Sequence, residues 1–237
     1  MAKGKLYLIP SLLGDSQVSN VLPNSIAKII KKIDIYIVEN IRSARRFIKS
    51  VYKDKDIDKT ILYYHGKHDR LDIEKDFLTH IIDGKDVGII SENGLPCVAD
   101  PGSDIVKYAH DYNIEVCPLV GPSSIFLALM ASGLNGQNFV FHGYLPIEKK
   151  IREKFLSKIL VNSRKLNQTQ IFIETPYRNN SMFNSILKIG NQNTQLCIAT
   201  NLTLNNENIK TRSIALWKKV DIDLHKKPTI FLLKDYI

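Results

Sequence analysis

The stretch SENGLPCVADPG, residues 91–102, follows the apolar run DVGII (86–90) and decides how the fold is read. Its two prolines and two glycines make a stiff turn with few large side chains directly after a buried strand. A Pro–Gly cluster alone most often marks a plain turn. Because open α/β sheets bind ligands beyond the carboxyl ends of their strands, the stretch predicts a backbone wall that faces a ligand.

Strand and helix patterns alternate on both sides of this turn, which is typical of α/β folds with mostly parallel strands. Apolar runs predict strands at 5–10, 34–39, 60–65, 86–91, 114–120, 138–143, 169–174, 196–201 and 228–234. Helices are predicted at 72–84, 103–112, 121–133, near 149–160 and at 178–189, and the polar segment 201–213 is predicted to be a loop. The closely spaced last strands predict antiparallel pairing. We expect two α/β lobes, residues 1–118 and 119–237, with a ligand cleft between them.

Composition limits the classes of partner. The 237 residues carry 33 Lys+Arg against 24 Asp+Glu, a formal charge of +9 that suits RNA, although lysine-rich solvated faces would give the same balance. Cys97, Cys117 and Cys197 form no C-x-x-C pair, so zinc knuckles and a disulfide framework are not expected. His65 and His68 have metal-ligand spacing but no third ligand, which favours a surface loop and no metal. With no signal peptide or long apolar run, we expect a soluble, cytoplasmic protein without membrane partners.

The first strand lacks the usual nucleotide-binding signature. Gly14 stands alone where a dinucleotide fold places G-x-G-x-x-G, and without those glycines Glu39 at the end of the second strand is a weak ribose signal. A second small-residue turn, GPSS (121–124), leads into an apolar helix. We expect this turn and the one at 91–102 to face each other across the cleft, one from each lobe.

Five motifs in order resemble the tetrapyrrole methylase superfamily, whose members transfer methyl groups from S-adenosylmethionine. They are SENGLPCVADPG, GPSSIFLALMASGL (121–134), GYLPIEKKIR (143–152), ETPYR (174–178) and VENIR (38–42). Within the superfamily the motifs are most similar to the branch that 2′-O-methylates a cytidine of small-subunit ribosomal RNA. The resemblance implies two α/β lobes of the tetrapyrrole methylase type with the cofactor cleft between them.

The resemblance also implies the site residues and partners. S-adenosyl-L-methionine would contact Leu12, Gly94, Leu95, Pro96 and Val98 in the first lobe and Ser124, Ile125, Ile173, Ala199 and Thr229 in the second. Glu174, Arg42 and Arg178 are the candidates for catalysis on the substrate side, Arg152 and nearby lysines for phosphate contacts, and His142 for a general base. Relatives form homodimers, so a homodimer is expected, with small-subunit rRNA or the ribosomal subunit as substrate.

The chain departs from the family at polar positions. TNLTL (200–204) replaces R-E-L-T-K, Tyr177 replaces a histidine, and Asn40–Ile41 replace an acidic residue and a threonine. Three hypotheses follow. The first is an rRNA ribose methyltransferase, the second a methyltransferase of a tetrapyrrole or another small molecule, and the third a cofactor-binding family member that has lost its activity.

Overall fold

The computed structural model describes residues 3–66 and 71–236, so His68 lies outside the described residues. The chain divides into two compact units, Met1–Ser123 and Ser124–Ile237. Each unit contains one five-stranded sheet with its own hydrophobic core. By this division the residues Gly121, Pro122 and Ser123 of the GPSS turn belong to the first unit. The boundary at 118/119 stays a prediction drawn from the sequence.

The sheet of the first unit has the order β3-β2-β4-β1-β5, and all of its strand pairs are parallel. Its strands are β1 (Leu6–Ile9), β2 (Ile35–Val38), β3 (Ile61–Tyr64), β4 (Val87–Ile90) and β5 (Val116–Pro118). The central strands β2 and β4 are buried at every position. Helices cover both faces of such a sheet, which is why these strands read as continuous apolar runs rather than alternating ones.

Helices surround this parallel sheet on two sides. They are α1 (Val18–Val21), α2 (Asn24–Lys32), α3 (Ile41–Val51), a π-helix (Ile73–Leu78) that continues into α4 (Thr79–Ile82), and α5 (Ser103–Asp111). The segment predicted as one helix over 72–84 therefore begins with a π-helical turn. Asp72 caps it, because its Oδ1 accepts a hydrogen bond from the backbone N–H of Lys75 at 3.2 Å.

The second unit has a mixed sheet with the order β6-β7-β10-β8-β9. Its strands are β6 (Phe139–Tyr144), β7 (Thr169–Ile173), β8 (Gln195–Thr200), β9 (Asn208–Ser213) and β10 (Thr229–Lys234), and its helices are α6 (Ser124–Ser132), α7 (Lys149–Leu166), α8 (Asn179–Ile189) and α9 (Ile214–Trp217). Only β6 and β7 pair in parallel, whereas β10 pairs with β7 and β8, and β8 with β9, in antiparallel fashion. The antiparallel pairing predicted for the last strands is confirmed.

The prediction of a loop over 201–213 is wrong for its second half, because Asn208–Ser213 forms the edge strand β9. Its polarity has a physical reason. An edge strand bonds to only one neighbour, so polar and charged side chains on it meet solvent at little cost. Lys210 and Arg212 are therefore compatible with a strand, although their charge made the segment resemble a loop in the sequence.

No helix in residues 3–66 and 71–236 is long and apolar enough to cross a membrane. In the same residues no three His, Cys, Asp or Glu side chains come together as a metal site.

Candidate functional site

Three segments of the first unit meet beyond the carboxyl ends of β1 and β4. The backbone N–H of Ser11 donates to the carbonyl oxygen of Gly94 at 2.8 Å. Gly94 in turn lies against Leu13 and Pro122: a Cβ at position 94 would come within 2.9 Å of Leu13 Cδ2 and 3.1 Å of the Pro122 carbonyl oxygen. We call residues 10–13, 94–96 and 121–122 together the glycine–proline corner.

The structure gives Gly94 a reason different from the one the sequence suggested. The sequence predicted that residues 91–102, with few large side chains, leave room for a ligand against their backbone. In the structure that room is taken by Leu13 and Pro122, and the backbone has a φ of +78°, a conformation that L side chains rarely adopt. Gly121 is similarly enclosed, since a Cβ there would overlap the ring of Pro10. Glycine is therefore required for the chain to fold into this corner at all.

The loop that leaves the corner stores backbone strain that the sequence did not signal. Cys97 and Ala99 have φ values of 66° and 63°, in the left-handed region, where a non-glycine residue costs about 1–3 kcal/mol. The loop is held by its polar groups, since Ser91 Oγ donates to Asp100 Oδ2 at 2.5 Å. Burial, and then the nearby charges of Asp104 and Asp100, raise the pKa of the Cys97 thiol to about 11. This thiol is therefore protonated at neutral pH and unsuited to act as a nucleophile.

A cavity of about 450 Å³ opens at the carboxyl ends of β1, β2 and β4. Of the residues that the sequence predicted for the site, Leu12 is the one that lines it. Part of the wall is α3, and Asn40 directly precedes this helix. The Oδ1 atom of Asn40 accepts hydrogen bonds from the backbone N–H groups of Arg42 (3.0 Å) and Ser43 (3.1 Å). The asparagine that departs from the family pattern is thus the helix N-cap, and it leaves the Arg42 side chain exposed.

Three of the predicted cofactor residues lie at one edge of the sheet in the second unit. Ile173 at the end of β7 and Ala199 near the end of β8 are both paired in register with Ile230 of β10, and Thr229 is the first residue of β10. The Thr229 hydroxyl is already engaged, because it accepts from Asn179 Nδ2 at 3.1 Å and donates to the carbonyl of Lys227 at 2.8 Å. Ala199 is fully buried and Ile173 half-buried, so this end of the sheet offers little polar surface.

The other two predicted cofactor residues of this unit, Ser124 and Ile125, begin α6. Ile125 is buried and Ser124 half-buried. The helix is tied to the sheet at its other end, where the Thr211 hydroxyl of β9 donates to the carbonyl of Ser132 at 2.7 Å.

Glu174 and Arg178, two of the three predicted catalytic residues, form an ion pair. The Oε1 atom of Glu174 accepts from the Arg178 guanidinium through Nη2 (2.6 Å) and Nε (3.0 Å) and from the backbone N–H of Thr175 (2.6 Å). The Glu174 side chain is 0% exposed and that of Arg178 32%. The second oxygen, Oε2, is buried and has no hydrogen-bond partner among the described residues. The result is a fixed, buried carboxylate whose Oε2 keeps an unused capacity to accept a hydrogen bond. The third residue, Arg42, lies in the first unit.

Arg152, which the sequence suggested for phosphate contacts, is instead part of the interior. It is 2% exposed, and its guanidinium donates to the hydroxyls of Ser185 (Nε 3.2 Å, Nη2 3.0 Å) and Ser181 (3.0 Å) and to the carbonyl of Ile147 (3.0 Å). These bonds join α7 to α8 and use four of the five N–H groups of a buried guanidinium, which does not face solvent where a phosphate would lie. The prediction is wrong because the length and charge of an arginine do not show whether it faces solvent.

Two histidines also have structural partners. His142 Nε2 lies 2.8 Å from Gln170 Oε1, and its ring packs edge-on against Phe155, so both packing and hydrogen bonding hold it within the second sheet. His65 is buried, with Nε2 3.2 Å from Asp104 Oδ1, so the surface-loop interpretation is wrong for this residue.

The TNLTL segment forms a tight turn between β8 and β9. The backbone N–H of Asn201 donates to the Pro228 carbonyl at 3.0 Å, and that of Thr203 donates to Glu207 Oε2 at 2.7 Å. Asn201 and Thr203 both have positive φ values, 52° and 70°. The segment therefore presents none of the charged side chains of the family pattern, and the one nearby carboxylate, that of Glu207, stabilises the turn.

Comparison with known proteins identifies the fold and the relatives. The chain matches no protein-family model. A superposition on the crystal structure of the methyltransferase CobJ covers 99% of this chain and 95% of that one, with a TM-score of 0.64 and 13% identity. At that identity the likeness shows the fold alone, which is the two-sheet α/β fold of the tetrapyrrole methylases, as the sequence predicted.

Sequence relatives refine the assignment. A protein named ribosomal RNA small subunit methyltransferase I from Buchnera aphidicola subsp. Schizaphis graminum is 28% identical over 235 residues, 98% of this chain and 78% of its own length. Proteins of the same name from Halalkalibacterium halodurans and Bacillus subtilis are 29% and 31% identical, over 82% and 74% of this chain. The alignments span 64% and 56% of those two proteins, less than two thirds. The chain belongs to the tetrapyrrole methylase superfamily, in the branch that contains these relatives.

Proposed function

We propose that the protein is an S-adenosylmethionine-dependent methyltransferase that 2′-O-methylates a ribose of small-subunit rRNA. The names of the relatives and the formal charge of +9 support the substrate class. The observation that carries the proposal is the buried Glu174 carboxylate, which the Arg178 guanidinium holds through Oε1 while Oε2 has no described partner. A ribose hydroxyl is a poor nucleophile at neutral pH. A positioned group that accepts its proton therefore makes the methyl transfer faster.

The proposal places the methyl donor against residues of both units. In the first unit the glycine–proline corner offers a rigid backbone surface at Leu12 and at Gly94, Leu95, Pro96 and Val98, and in the second unit Ser124, Ile125, Ile173, Ala199 and Thr229 would complete the contacts. When bound, S-adenosylmethionine supplies an activated methyl group, so the protein mainly has to orient the reactants. Orientation of this kind is worth up to about 7–11 kcal/mol in intramolecular reactions. A corner that cannot flex is suited to that task.

On the substrate side the proposal gives each charged residue a role. Glu174 Oε2 accepts a hydrogen bond from the ribose hydroxyl and takes up its proton. Arg178 holds the carboxylate in place, since it donates two charge-assisted hydrogen bonds to the other oxygen. Arg42, exposed at the start of α3, contacts a phosphate of the RNA.

The test is methyl transfer from labelled S-adenosylmethionine to small ribosomal subunits taken from a strain that lacks the modification. We expect label in a 2′-O-methylated nucleoside after digestion of the rRNA. Glu174→Gln should lower kcat by a factor of about 10² or more while the calorimetric affinity for the methyl donor stays the same. Glu148→Gln, an exposed carboxylate at the start of α7, is the matched control and should leave kcat unchanged. Label found only in a small-molecule fraction would overturn the rRNA substrate.

A second candidate is a cofactor-binding protein without turnover. The TNLTL turn favours it, because it lacks the charged side chains that the family pattern places there. Binding of S-adenosylmethionine without transfer to any subunit preparation would support this candidate.

We further propose a cytoplasmic homodimer. The side chains of Phe126 and Met130 on α6 are 54% and 78% exposed, and an apolar surface of this kind is suited to a second copy of the chain. Light scattering coupled to gel filtration tests it, and a monomer at micromolar concentration would contradict the proposal.

A further inference from the structure

Helix α3 carries three arginines that lie close together in the sequence. Arg42, Arg45 and Arg46 are exposed, and none of them has an ion pair or side-chain hydrogen bond in the part of the chain that the structure describes. The chain contains 25 lysines and only 8 arginines, yet three of the eight fall within five consecutive residues. A composition biased towards lysine would not place them there.

The other described arginines each have an internal role. Arg152 bonds to the serines of α8, Arg164 pairs with Asp235 at 3.0 Å, Arg178 pairs with Glu174 at 2.6 Å, and Arg212 lies 5.3 Å from the centre of the Trp217 ring. On α3, by contrast, like charges stand three and four residues apart, where each pair disfavours the helix by about 0.2–0.5 kcal/mol. An anionic ligand would remove that cost.

The same helix forms a wall of the 450 Å³ cavity. Ser43, Arg46, Phe47 and Ser50, spaced by three and four residues, line it, so Arg46 belongs to both the cationic face and the cavity. Ser43 Oγ donates to Glu92 Oε1 at 2.9 Å across the opening.

The lining outside α3 also offers polar groups. Ser16 lines the cavity there, and its buried hydroxyl has no hydrogen-bond partner among the described residues. A polar cavity of this size next to unpaired guanidiniums matches a ligand with a polar ring and a phosphate.

We propose that α3 and this cavity bind one nucleotide of a single-stranded RNA segment, with Arg45 and Arg46 on the flanking phosphates and the cavity holding ribose and base. Guanidinium groups bind phosphate oxygens in pairs, and RNA is recognised mostly through single-stranded nucleotides whose bases are unstacked. The proposal rests on RNA being the substrate and adds where the strand is held. A free nucleotide has the same chemistry, and the experiment distinguishes the two.

The first arm measures how RNA binding depends on salt. The probe is a fluorescein-labelled single-stranded RNA of about 12 nucleotides, titrated by anisotropy between about 50 and 200 mM salt. The Arg45→Gln/Arg46→Gln variant should bind at least tenfold more weakly at the lowest salt. Its slope of log K against log salt should fall by about 0.7 for each phosphate that the variant no longer neutralises.

The control removes the same charge from the opposite edge of the same sheet. Lys59 and Lys85 are exposed and lie just before β3 and β4, whereas the cavity lies at the other ends of the strands. Lys59→Gln/Lys85→Gln should keep the slope of the unmodified protein. Equal slopes for the arginine and lysine variants would overturn the proposal and leave the RNA substrate standing. If the unmodified protein shows no salt-dependent RNA binding, the RNA substrate fails, and this proposal fails with it.

The second arm fills the cavity. Ser16→Trp should weaken RNA binding at every salt concentration without changing the slope, because the substitution removes space and no charge. Ser50→Phe, on the α3 side of the cavity, is the second variant in case the first does not fold, with circular dichroism as the check. RNA affinity unchanged in a folded cavity variant contradicts the proposal. Displacement of the RNA by micromolar cytidine monophosphate would also contradict it, because the site would then be one for free nucleotides.

Discussion

The glycine–proline corner and the Glu174–Arg178 site consist of different kinds of chemical group. The corner consists of backbone groups and small or rigid residues, and its shape is fixed by positive φ at Gly94 and by contacts with Leu13 and Pro122. The second site depends on a buried charge and its partner. Any change in the corner therefore alters folding and ligand binding together, whereas the charges of the second site can be changed one at a time.

The difference also explains which positions depart from the family pattern. The corner retains its glycines and prolines because the chain itself needs them, whatever the ligand. Polar positions such as Asn40 and the TNLTL turn are not constrained by packing in the same way. Asn40 caps α3, and TNLTL forms a turn. A change of substrate would produce this pattern, because only the positions that contact the substrate would then be free to vary.

The largest effect is expected from Gly94→Val. The substitution forces a β-branched residue to a φ of +78° and drives its Cβ to within about 3 Å of Leu13 and Pro122. We expect a loss of about 3 kcal/mol or more in the free energy of unfolding, measured by urea denaturation with circular dichroism. The methyl-donor affinity should fall in the same variant, because the corner would no longer have its shape.

Two other glycines separate the effect of a positive φ from the effect of close contacts at the added Cβ. Gly133 also has positive φ, +69°, but no atom lies within 4 Å of its missing Cβ, and Gly136 has open space without the unusual φ. Gly133→Ala should therefore cost about 1 kcal/mol and Gly136→Ala almost nothing. A Gly94→Val protein as stable as the unmodified chain would show that the corner is not rigid.

At the Glu174–Arg178 site, removal of the Arg178 guanidinium should lower the free energy of unfolding more than removal of the Glu174 charge. Arg178→Ala leaves a carboxylate with 0% exposure without its guanidinium, and we expect a loss of about 2 kcal/mol because Arg178 itself is partly exposed. Glu174→Gln removes the charge that needed the guanidinium and should cost less. Denaturation of both single variants and the double variant gives the coupling energy. Additive losses would mean that the pair contributes nothing to stability.

The same contrast decides how much could be predicted from the sequence. The strands followed from apolar runs such as DVGII, because a parallel strand covered on both faces has to be apolar throughout. The corner followed from its glycines and prolines. The strand β9 was missed, since its polar residues are tolerated on an edge.

Site residues were harder to place, because the sequence does not show what a polar side chain contacts. Arg152 was placed on a phosphate although it is buried between helices. The sequence did not indicate the positive φ values of Cys97 and Ala99, because neither residue is a glycine or an asparagine.

A smaller effect is expected at the start of α3. Asn40→Ala removes the hydrogen bonds from the N–H groups of Arg42 and Ser43, and we expect about 1 kcal/mol of destabilisation in thermal or urea unfolding. Asn40→Asp is the matched control. Its carboxylate can accept the same two bonds and carries a negative charge at the positive end of the helix, so stability should be equal or slightly higher. If the aspartate variant is as unstable as the alanine variant, capping is not the reason for Asn40. The asparagine would then have to act on the substrate side, where the cavity lies.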